Sequence, residues 1–352
     1  MINKSTIFIQ NIFYMLSYAF RVLKEDYYKN FGAEPFEHIN DLMLAILTKG
    51  MNRQIKRGIF KNYRVLKEES PNFKGKLLIQ DSIKLRIRNK KKLSMEMDEL
   101  SPNNYLNQLI KSTITLLTQQ KDIRSELKKE AQKTLFNLTE VDSLDLKRIK
   151  RSHIQINKHH QDYHMLISIC MMVIDRLLMA GNSSSQKLKD FTDDQTLPRL
   201  FEKFVFEYYR YHYPNINVSA AQVPWDVTEG SLSLLPAMKT DITLKHKGHT
   251  LIIDTKFYQK SLSQSQYNEE RYTLHSNNLY QIFSYVQNLD NDNEGKVSGL
   301  ILYAKTSELV SPHAKFKIKG NIIASRSLDL NTEFVNIRSQ LNQIAEEFLP
   351  QI

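Results

Sequence analysis

The stretch from Met238 to Tyr258 constrains the fold of this chain most strongly. Its first part alternates polar and apolar residues, and its second part holds the apolar run Leu251-Ile252-Ile253, so both parts are typical of β-strands. Between them lies Gly248, and glycine accepts the positive φ that a tight hairpin turn requires. We therefore predict a β-hairpin with Lys247 and Gly248 as its two-residue loop.

This hairpin would bring charged side chains together at its open end. With that loop, the numbers of facing residues sum to 495, so Asp241 lies opposite Asp254. Their Cβ atoms would be about 4.5–5.5 Å apart, and Lys256 follows on the same strand face. Two such carboxylates repel each other unless a cation lies near them, and a divalent cation with oxygen ligands would meet that need. Solvated strand ends are the ordinary alternative, because Asp-x-Lys is a short pattern.

The net charge of +11 and the sequence pI near 9.3 suggest a polyanionic partner such as nucleic acid. Residues 1–160 hold 30 Lys and Arg against 17 Asp and Glu, which gives +13, whereas the remainder holds 19 against 21, which gives −2. The half with the candidate site is therefore not the basic half. We expect the first half to bind phosphates or an acidic protein surface.

A basic arm is predicted around residues 57–97, where strand-like patterns are punctuated by Pro71 and Gly75. The last of these patterns, Ile83–Arg88, would place alternate basic residues on one strand face. We expect this arm to contact DNA or a partner protein, although a plain solvated face is the alternative. The candidate contact residues are Lys84, Arg86, Arg88, Lys90, Lys91 and Lys92.

The length allows two domains, which we predict at 1–165, an α+β domain carrying the basic arm, and at 166–352, an α/β domain. In the second domain, strands and helices alternate to give a mixed central sheet flanked by helices. A helix before the hairpin carries Glu202 and Glu207 on opposite margins of its apolar stripe, and periodicity does not choose between them. A helix after the hairpin carries Tyr280 and Gln281 near its start.

Several protein classes are not indicated by the sequence. There is no G-x-x-x-x-G-K-[ST] phosphate loop, so this chain is not expected to bind a nucleotide by that route. No signal peptide and no apolar run of about 18 residues is apparent, and a single cysteine fits a reducing compartment. We therefore expect a soluble cytoplasmic protein.

The pattern of Asp241 followed by Asp254-x-Lys256 resembles the PD-(D/E)xK nuclease core, with its acidic helix before the hairpin and its Gln-bearing helix after it. Beyond this core, the whole chain resembles the McrC family, the nuclease subunits of McrBC modification-dependent restriction systems. The matching segments are Gln10–Ala19, Gly75–Ile79, Asn107–Thr113, Leu234–Thr243, Asp254–Tyr258 and Asn278–Gln281.

This resemblance implies a type II-like, metal-dependent DNA endonuclease in the second half of the chain. It implies catalytic roles for Asp241, Asp254, Lys256 and, by preference over Glu207, Glu202. The metal, Mg²⁺, would be held by Asp241, Asp254 and the carbonyl of Thr255. The resemblance further implies supporting roles for three residues: Gln281, Tyr280 and Glu207.

The implied partners are a McrB-like AAA+ GTPase ring, which binds the GTP and is activated by the first half of this chain, and double-stranded DNA carrying methylated cytosine. The alternatives are a non-catalytic accessory protein that binds DNA or activates the ring, and a stand-alone repair nuclease of the same fold.

Overall fold

A computed structural model describes residues 4–22, 36–156, 161–179, 196–258, 262–264, 272–305 and 311–350. The chain forms two compact units, one of Met1–Ile39 with Ala180–Ile352 and one of Asn40–Met179. This division differs from the predicted domains 1–165 and 166–352, because the first 39 residues belong with the carboxyl-terminal part. The 40–179 unit holds 27 Lys and Arg against 15 Asp and Glu, or +12, and the other unit holds 22 against 23, or −1.

The described helices occur in both units. In chain order they are α1 Lys4–Ala19, α2 Ile39–Arg57, α3 Ile79–Ile87, α4 Tyr105–Thr118, α5 Ser125–Phe136, α6 Gln161–Ile174, α7 Thr196–His212, α8 Ser276–Leu289 and α9 Phe334–Phe348. A π-helical turn at Asp175–Met179 extends α6. None of the described helices is both long and apolar enough to cross a membrane.

The described strands form four sheets. In chain order they are β1 Asn62–Ser70, β2 Lys76–Leu77, β3 Leu93–Ser101, β4 Asn217–Ser219, β5 Gln222–Val223, β6 Met238–Lys239, β7 Ile242–His246, β8 His249–Lys256, β9 Leu262–Gln264, β10 Tyr272–Leu274, β11 Val297–Lys305, β12 Ala314–Ile318 and β13 Asn321–Asp329. The largest sheet has the order β12-β13-β11-β8-β7-β4, and the smaller ones pair β1-β3-β2, β10-β9 and β5-β6.

The six-stranded sheet confirms the predicted mixed sheet flanked by helices. Strands β8, β11 and β13 run parallel to one another, whereas β4, β7 and β12 pair antiparallel with their neighbours. Helix α7 packs on β8, α8 packs on β8 and β11, and α9 packs on β13. All residues of β11 from Val297 to Ala304 are buried, as expected for a central strand covered on both faces.

Helix α1 belongs to this unit although about 180 residues separate it from α7. It packs along α7, and the Tyr18 hydroxyl is hydrogen-bonded to His212 Nε2 at 2.8 Å. Asn11 Nδ2 donates to the carbonyl oxygens of Leu330 and Thr332, both at 2.8 Å. Asn11 is buried, so breaking these bonds would leave its amide without partners. The two bonds therefore hold α1 against the end of β13.

The predicted strand at Ile83–Arg88 is wrong, because these residues lie mostly within α3. The alternation of apolar and basic residues suggested a strand, but tertiary contacts select a helix. Ser82 Oγ donates to the Ser94 carbonyl at 3.1 Å and accepts from Ser94 N–H at 2.9 Å, which fastens α3 to β3. Leu85 is buried, whereas Ile83 and Ile87 are exposed. The basic residues of this segment therefore do not share one strand face.

An N-cap and a hairpin turn define two further elements. Helix α4 has Asn104 at its amino end, where the Asn104 side chain accepts from Asn107 N–H. Strands β12 and β13 form a hairpin. Its turn, Lys319-Gly320, has φ of 49° and 87°, which suits a tight two-residue loop.

Glu347 of α9 ties that helix to the β12–β13 hairpin. It pairs with Lys315 Nζ at 3.0 Å and with Arg326 Nη2 at 2.7 Å. Partial burial acts to raise the pKa of Glu347, but hydrogen bonds from the two cations outweigh it, so the pKa is lowered.

Candidate active site

The hairpin β7–β8 has the predicted loop and register. Lys247 and Gly248 have φ of 46° and 79°, the pair of positive values that a type I′ turn requires. Ile242 pairs with Ile253 and Leu244 with Leu251, so facing residue numbers sum to 495 as predicted. Strand β7 begins at Ile242, so Asp241 lies just outside the paired ladder, at the same end as Asp254.

Asp254 is a buried carboxylate that pairs with Lys256. It is 1% exposed, and its Oδ2 lies 2.7 Å from Lys256 Nζ. Apart from this ion-pair contact, neither carboxylate oxygen meets a hydrogen-bond donor among the described residues. Burial, with a further contribution from Asp241, raises the pKa of Asp254 to about 6, while Lys256 acts in the opposite direction.

Asp241 is held by the strand that carries Asp254. Both the backbone N–H and the hydroxyl of Thr255 donate to Asp241 Oδ2, at 2.8 and 2.9 Å. Both bonds reach Oδ2, and Oδ1 of Asp241 accepts no hydrogen bond from the described residues. The side chain is thereby oriented while one oxygen stays available for a ligand.

Lys256 is the cation of the site, and its side chain is 16% exposed. Burial acts to lower its pKa, but the neighbouring Asp254 outweighs burial and the pKa is raised. Lys256 Nζ also donates to Gln281 Oε1 at 3.2 Å. The predicted proximity of Gln281 to this centre is therefore present in the structure.

A tyrosine that the sequence reasoning missed fixes the amide of Gln281. Gln281 Nε2 donates to the Tyr285 hydroxyl at 2.9 Å, and that hydroxyl donates to the Lys239 carbonyl at 3.1 Å. The spacing of four residues on α8 places Gln281 and Tyr285 on one helix face, which is the signal that could have found Tyr285.

A second chain of polar groups, also not anticipated, lies beside this one. Tyr258 donates to Asn278 Oδ1 at 3.3 Å, and Asn278 Nδ2 donates to the Tyr303 hydroxyl at 3.2 Å. Tyr280, predicted as a supporting residue, is 65% exposed and has no recorded hydrogen bond among the described residues.

The two glutamates of α7 have different surroundings. Glu207 accepts from Arg21 Nε at 2.8 Å and from Arg21 Nη2 at 2.7 Å, a bidentate pair that ties α7 to the end of α1. Glu202 is half-buried, and its pKa is raised by burial and then by the negative charges of Asp241 and Asp254. Glu202 is therefore electrostatically coupled to the site, whereas Glu207 is engaged by Arg21.

The predicted arm residues lie in the 40–179 unit. Lys84 and Arg86 are in α3 and Arg88 follows it, and Lys84 pairs with Asp81 at 3.2 Å. Lys90 lies 3.8 Å from Glu69 of β1. Lys91 and Lys92 are exposed in the connection to β3. Whether any of these six residues contacts DNA or a partner stays a prediction.

Two carboxylates of the site, Asp241 and Asp254, could serve as ligands of a metal ion. Within the described residues, no three Asp, Glu, His or Cys side chains are grouped closely enough to hold one. Apart from the contact with Lys256, the buried oxygens of Asp254 nevertheless have no donor among the described residues, and Asp241 keeps one oxygen without a donor there. Such a pair suits Mg²⁺, which is commonly bound through one or two carboxylates and keeps several waters.

Comparison with known proteins identifies the relatives of this chain. Residues 5–304 match the family described as McrBC 5-methylcytosine restriction system component. The chain is 28% identical over 345 residues to the type IV methyl-directed restriction enzyme EcoKMcrBC of Escherichia coli strain K12, covering 97% of this chain and 98% of the relative. The matched family and this relative both belong to restriction systems, so the chain is assigned to the class of restriction-system proteins.

The chain belongs to the McrBC 5-methylcytosine restriction system component family. Its fold is similar to a refined half-complex from a tetradecameric assembly of Thermococcus gammatolerans McrB AAA+ hexamers with bound McrC. The TM-score is 0.51 at 14% identity, with 95% of this chain and 76% of that chain covered. The resemblance inferred from the sequence motifs is thus confirmed at the level of the family.

Proposed function

We propose that this chain is the Mg²⁺-dependent endonuclease subunit of a GTP-dependent restriction complex that cleaves methylated DNA, with a PD-(D/E)xK catalytic core. The observation that carries the proposal is the buried carboxylate of Asp254. It lies beside Asp241 and Lys256, and it has no hydrogen-bond donor apart from Lys256 among the described residues. A carboxylate buried in this way costs free energy, so a functional role accounts for its retention better than a structural one.

The metal would be held by Asp241, Asp254 and the carbonyl oxygen of Thr255, with Glu202 bound directly or through water. When bound, Mg²⁺ polarises a phosphoryl oxygen and lowers the pKa of its water. It would also offset the mutual repulsion that contributes to the raised pKa values of Glu202 and Asp254. The hydrogen bonds from Thr255 would hold Asp241 in place for this role.

Lys256 would neutralise charge on the scissile phosphate and orient the attacking water. Its raised pKa keeps the ammonium charged, which supports the electrostatic role. Gln281 would limit the positions that Lys256 can occupy, and Tyr285 would hold Gln281 by its hydroxyl. These groups belong to the unit of residues 1–39 and 180–352, which we propose as the nuclease.

The 40–179 unit would bind and activate an AAA+ GTPase ring like the McrB hexamers of the Thermococcus assembly. Support comes from its exposed apolar residues, because exposed apolar patches mark interaction sites. Three of them, Ile79, Ile83 and Ile87, are four residues apart on α3 and thus share one helix face. Most of the others lie on β1, on β3, or on or near β2: Tyr63, Val65, Phe73, Leu77 and Leu100.

Plasmid cleavage tests this function. Methylated and unmethylated plasmid is incubated with this chain, its GTPase partner, GTP and Mg²⁺, with each component left out in turn. Cutting that needs all components and methylation is expected. Asp254→Ala should abolish cutting while GTPase stimulation persists, and Asp226→Ala, which removes an exposed carboxylate of the same unit, should cut normally.

The other outcomes separate the alternative functions. Cutting by this chain with Mg²⁺ alone would indicate a stand-alone nuclease. Stimulation of the GTPase without cutting under any condition would indicate a non-catalytic activator. Wild-type cutting by Asp254→Ala would refute the site assignment itself.

A further inference from the structure

A compact group of basic residues lies in the 40–179 unit, outside the arm. The segment between α5 and α6 contains two short 3₁₀ turns that carry Lys147, Arg148, Lys150 and Arg151. All four residues are exposed, and the Arg148 side chain is 88% exposed. We propose that this 147–151 cluster binds the phosphate backbone of DNA.

The backbone of this segment is fastened to the helices beneath it. Lys150 N–H donates to the Tyr105 hydroxyl at 3.0 Å, and Leu144 N–H donates to Ser112 Oγ at 2.7 Å, so both ends of the segment are bonded to α4. Arg151 Nη2 donates to Asp175 Oδ1 at 2.6 Å. Because the backbone is already ordered, binding a phosphate would require ordering only of the side-chain ends, which lowers the entropic cost.

Within the described part of the chain, two of the four basic residues in the 147–151 cluster pair with carboxylates, and two do not. Arg151 pairs with Asp175, and Arg148 lies 3.6 Å from the exposed Asp145. Lys147 and Lys150 have no carboxylate within 4.0 Å among the residues that the structure describes. The unit as a whole carries +12. The cluster is therefore a local concentration of charge within an already positive unit, which attracts a polyanion.

The composition of the cluster favours DNA over a protein partner. Protein interfaces are built around apolar and aromatic anchors and are depleted in Lys. None of the described residues 141–156 is an exposed large apolar residue, and the apolar neighbours Leu146 and Ile149 are half-buried. The arm, in contrast, exposes many apolar side chains. The 147–151 cluster thus offers what phosphate contacts use, Lys and Arg side chains without an apolar core.

The salt dependence of the DNA-binding constant tests this proposal. The proposal rests on the proposed function in one respect, that the polyanion is DNA. The full chain is titrated onto a short fluorescent DNA duplex without divalent metal, so that no cutting occurs, at several salt concentrations. The test variant is Lys147→Gln/Arg148→Gln/Lys150→Gln, which keeps Arg151 because Arg151 pairs with Asp175. The matched control is Lys121→Gln/Lys129→Gln/Lys133→Gln, which removes the same charge from exposed positions of the same unit that lie outside the cluster and the arm.

Each lost phosphate contact reduces the slope of log K against log salt by about 0.9, so three contacts reduce it by about 2.7. Between about 50 and 200 mM salt, the wild type should therefore lose about 40-fold more affinity than the test variant loses. The control triple should keep the wild-type slope. Melting temperatures of both triples should match the wild type, because the substituted side chains are exposed.

Two results would overturn the proposal. Equal loss of slope in both triples would mean that binding follows net charge rather than this cluster. A wild-type slope in the test variant would mean that the cluster contacts no DNA. If that variant also lost GTPase stimulation, the cluster would be assigned to a protein partner. Because binding is measured without divalent metal, it does not depend on cutting, so a failure of the nuclease assignment would be distinguishable from a failure of this one.

Discussion

Replacing Gly299 with alanine should destabilise the unit of residues 1–39 and 180–352, because α8 packs directly on the backbone of β11 at this residue. A methyl group there would lie 2.7 Å from Ile282 Cγ1 and 2.7 Å from Val286 Cγ2, both on buried residues of α8. Ordinary contacts begin at 3.4 Å, so the shortfall is 3.4 − 2.7 = 0.7 Å for each. These atoms are close to the helix backbone, and the β-branched side chains have few rotamers with which to move aside.

Overpacking of this kind typically costs about 1–3 kcal/mol. The lower entropy of alanine in the unfolded chain offsets roughly 0.5–1 kcal/mol of that cost. We therefore expect Gly299→Ala to lower the free energy of unfolding by about 1–2 kcal/mol. A displaced α8 would also lengthen the 3.2 Å contact between Gln281 and Lys256, so cleavage should fall as well.

Urea denaturation of four proteins measures the effect: wild type, Gly299→Ala, Val286→Ala and the double variant. Because Val286→Ala removes one of the two clashing carbon atoms, Val286 Cγ2, the double variant should be more stable than additivity predicts, by roughly 1 kcal/mol. Ser298→Ala, on the opposite face of the same strand, is the control and should not couple with Val286→Ala. Additivity of Gly299→Ala and Val286→Ala within about 0.5 kcal/mol would refute the close-packing argument.

Three further predictions concern other parts of the molecule. Glu207→Gln should lower the free energy of unfolding in urea by about 1 kcal/mol, because its partner Arg21 is half-exposed, and should leave plasmid cleavage unchanged. Glu202→Gln should leave stability unchanged and reduce plasmid cleavage at least about tenfold, and the reverse pattern would exchange the roles of the two glutamates. The double variant Ile83→Ser/Ile87→Ser should melt like the wild type but lose GTPase stimulation, and retained stimulation would exclude this helix face as the docking surface. Glu347→Gln should lower the free energy of unfolding in urea at pH 7. Because the pKa of Glu347 is lower in the folded than in the unfolded chain, the difference from the wild type should shrink as pH falls below about 4.3. A difference that persists at low pH would contradict the stabilising role of the ion pairs of Glu347.

The local features of the site could be predicted from the sequence because they depend on neighbours along the chain. The loop at Lys247-Gly248 fixes the hairpin register, and the register alone brings Asp241 to the same end as Asp254. Lys256 follows from the two-residue period of a strand. For the same reason, Gln281 could be placed near the start of a helix.

Tertiary contacts decided the features for which the local pattern was ambiguous. Glu202 and Glu207 have equivalent places on the margins of α7, and a contact distant in sequence, from Arg21, 186 residues before Glu207, distinguishes them. The pattern at Ile83–Arg88 fits a strand by its period, yet the hydrogen bonds between Ser82 and Ser94 hold this segment as a helix on β3. The sequence by itself therefore determined the hairpin of the site and the order of the candidate catalytic residues, through short-range periodicity and turn chemistry. The tertiary structure decided which charges are paired and which faces are covered, because burial and pairing depend on residues far apart in the chain.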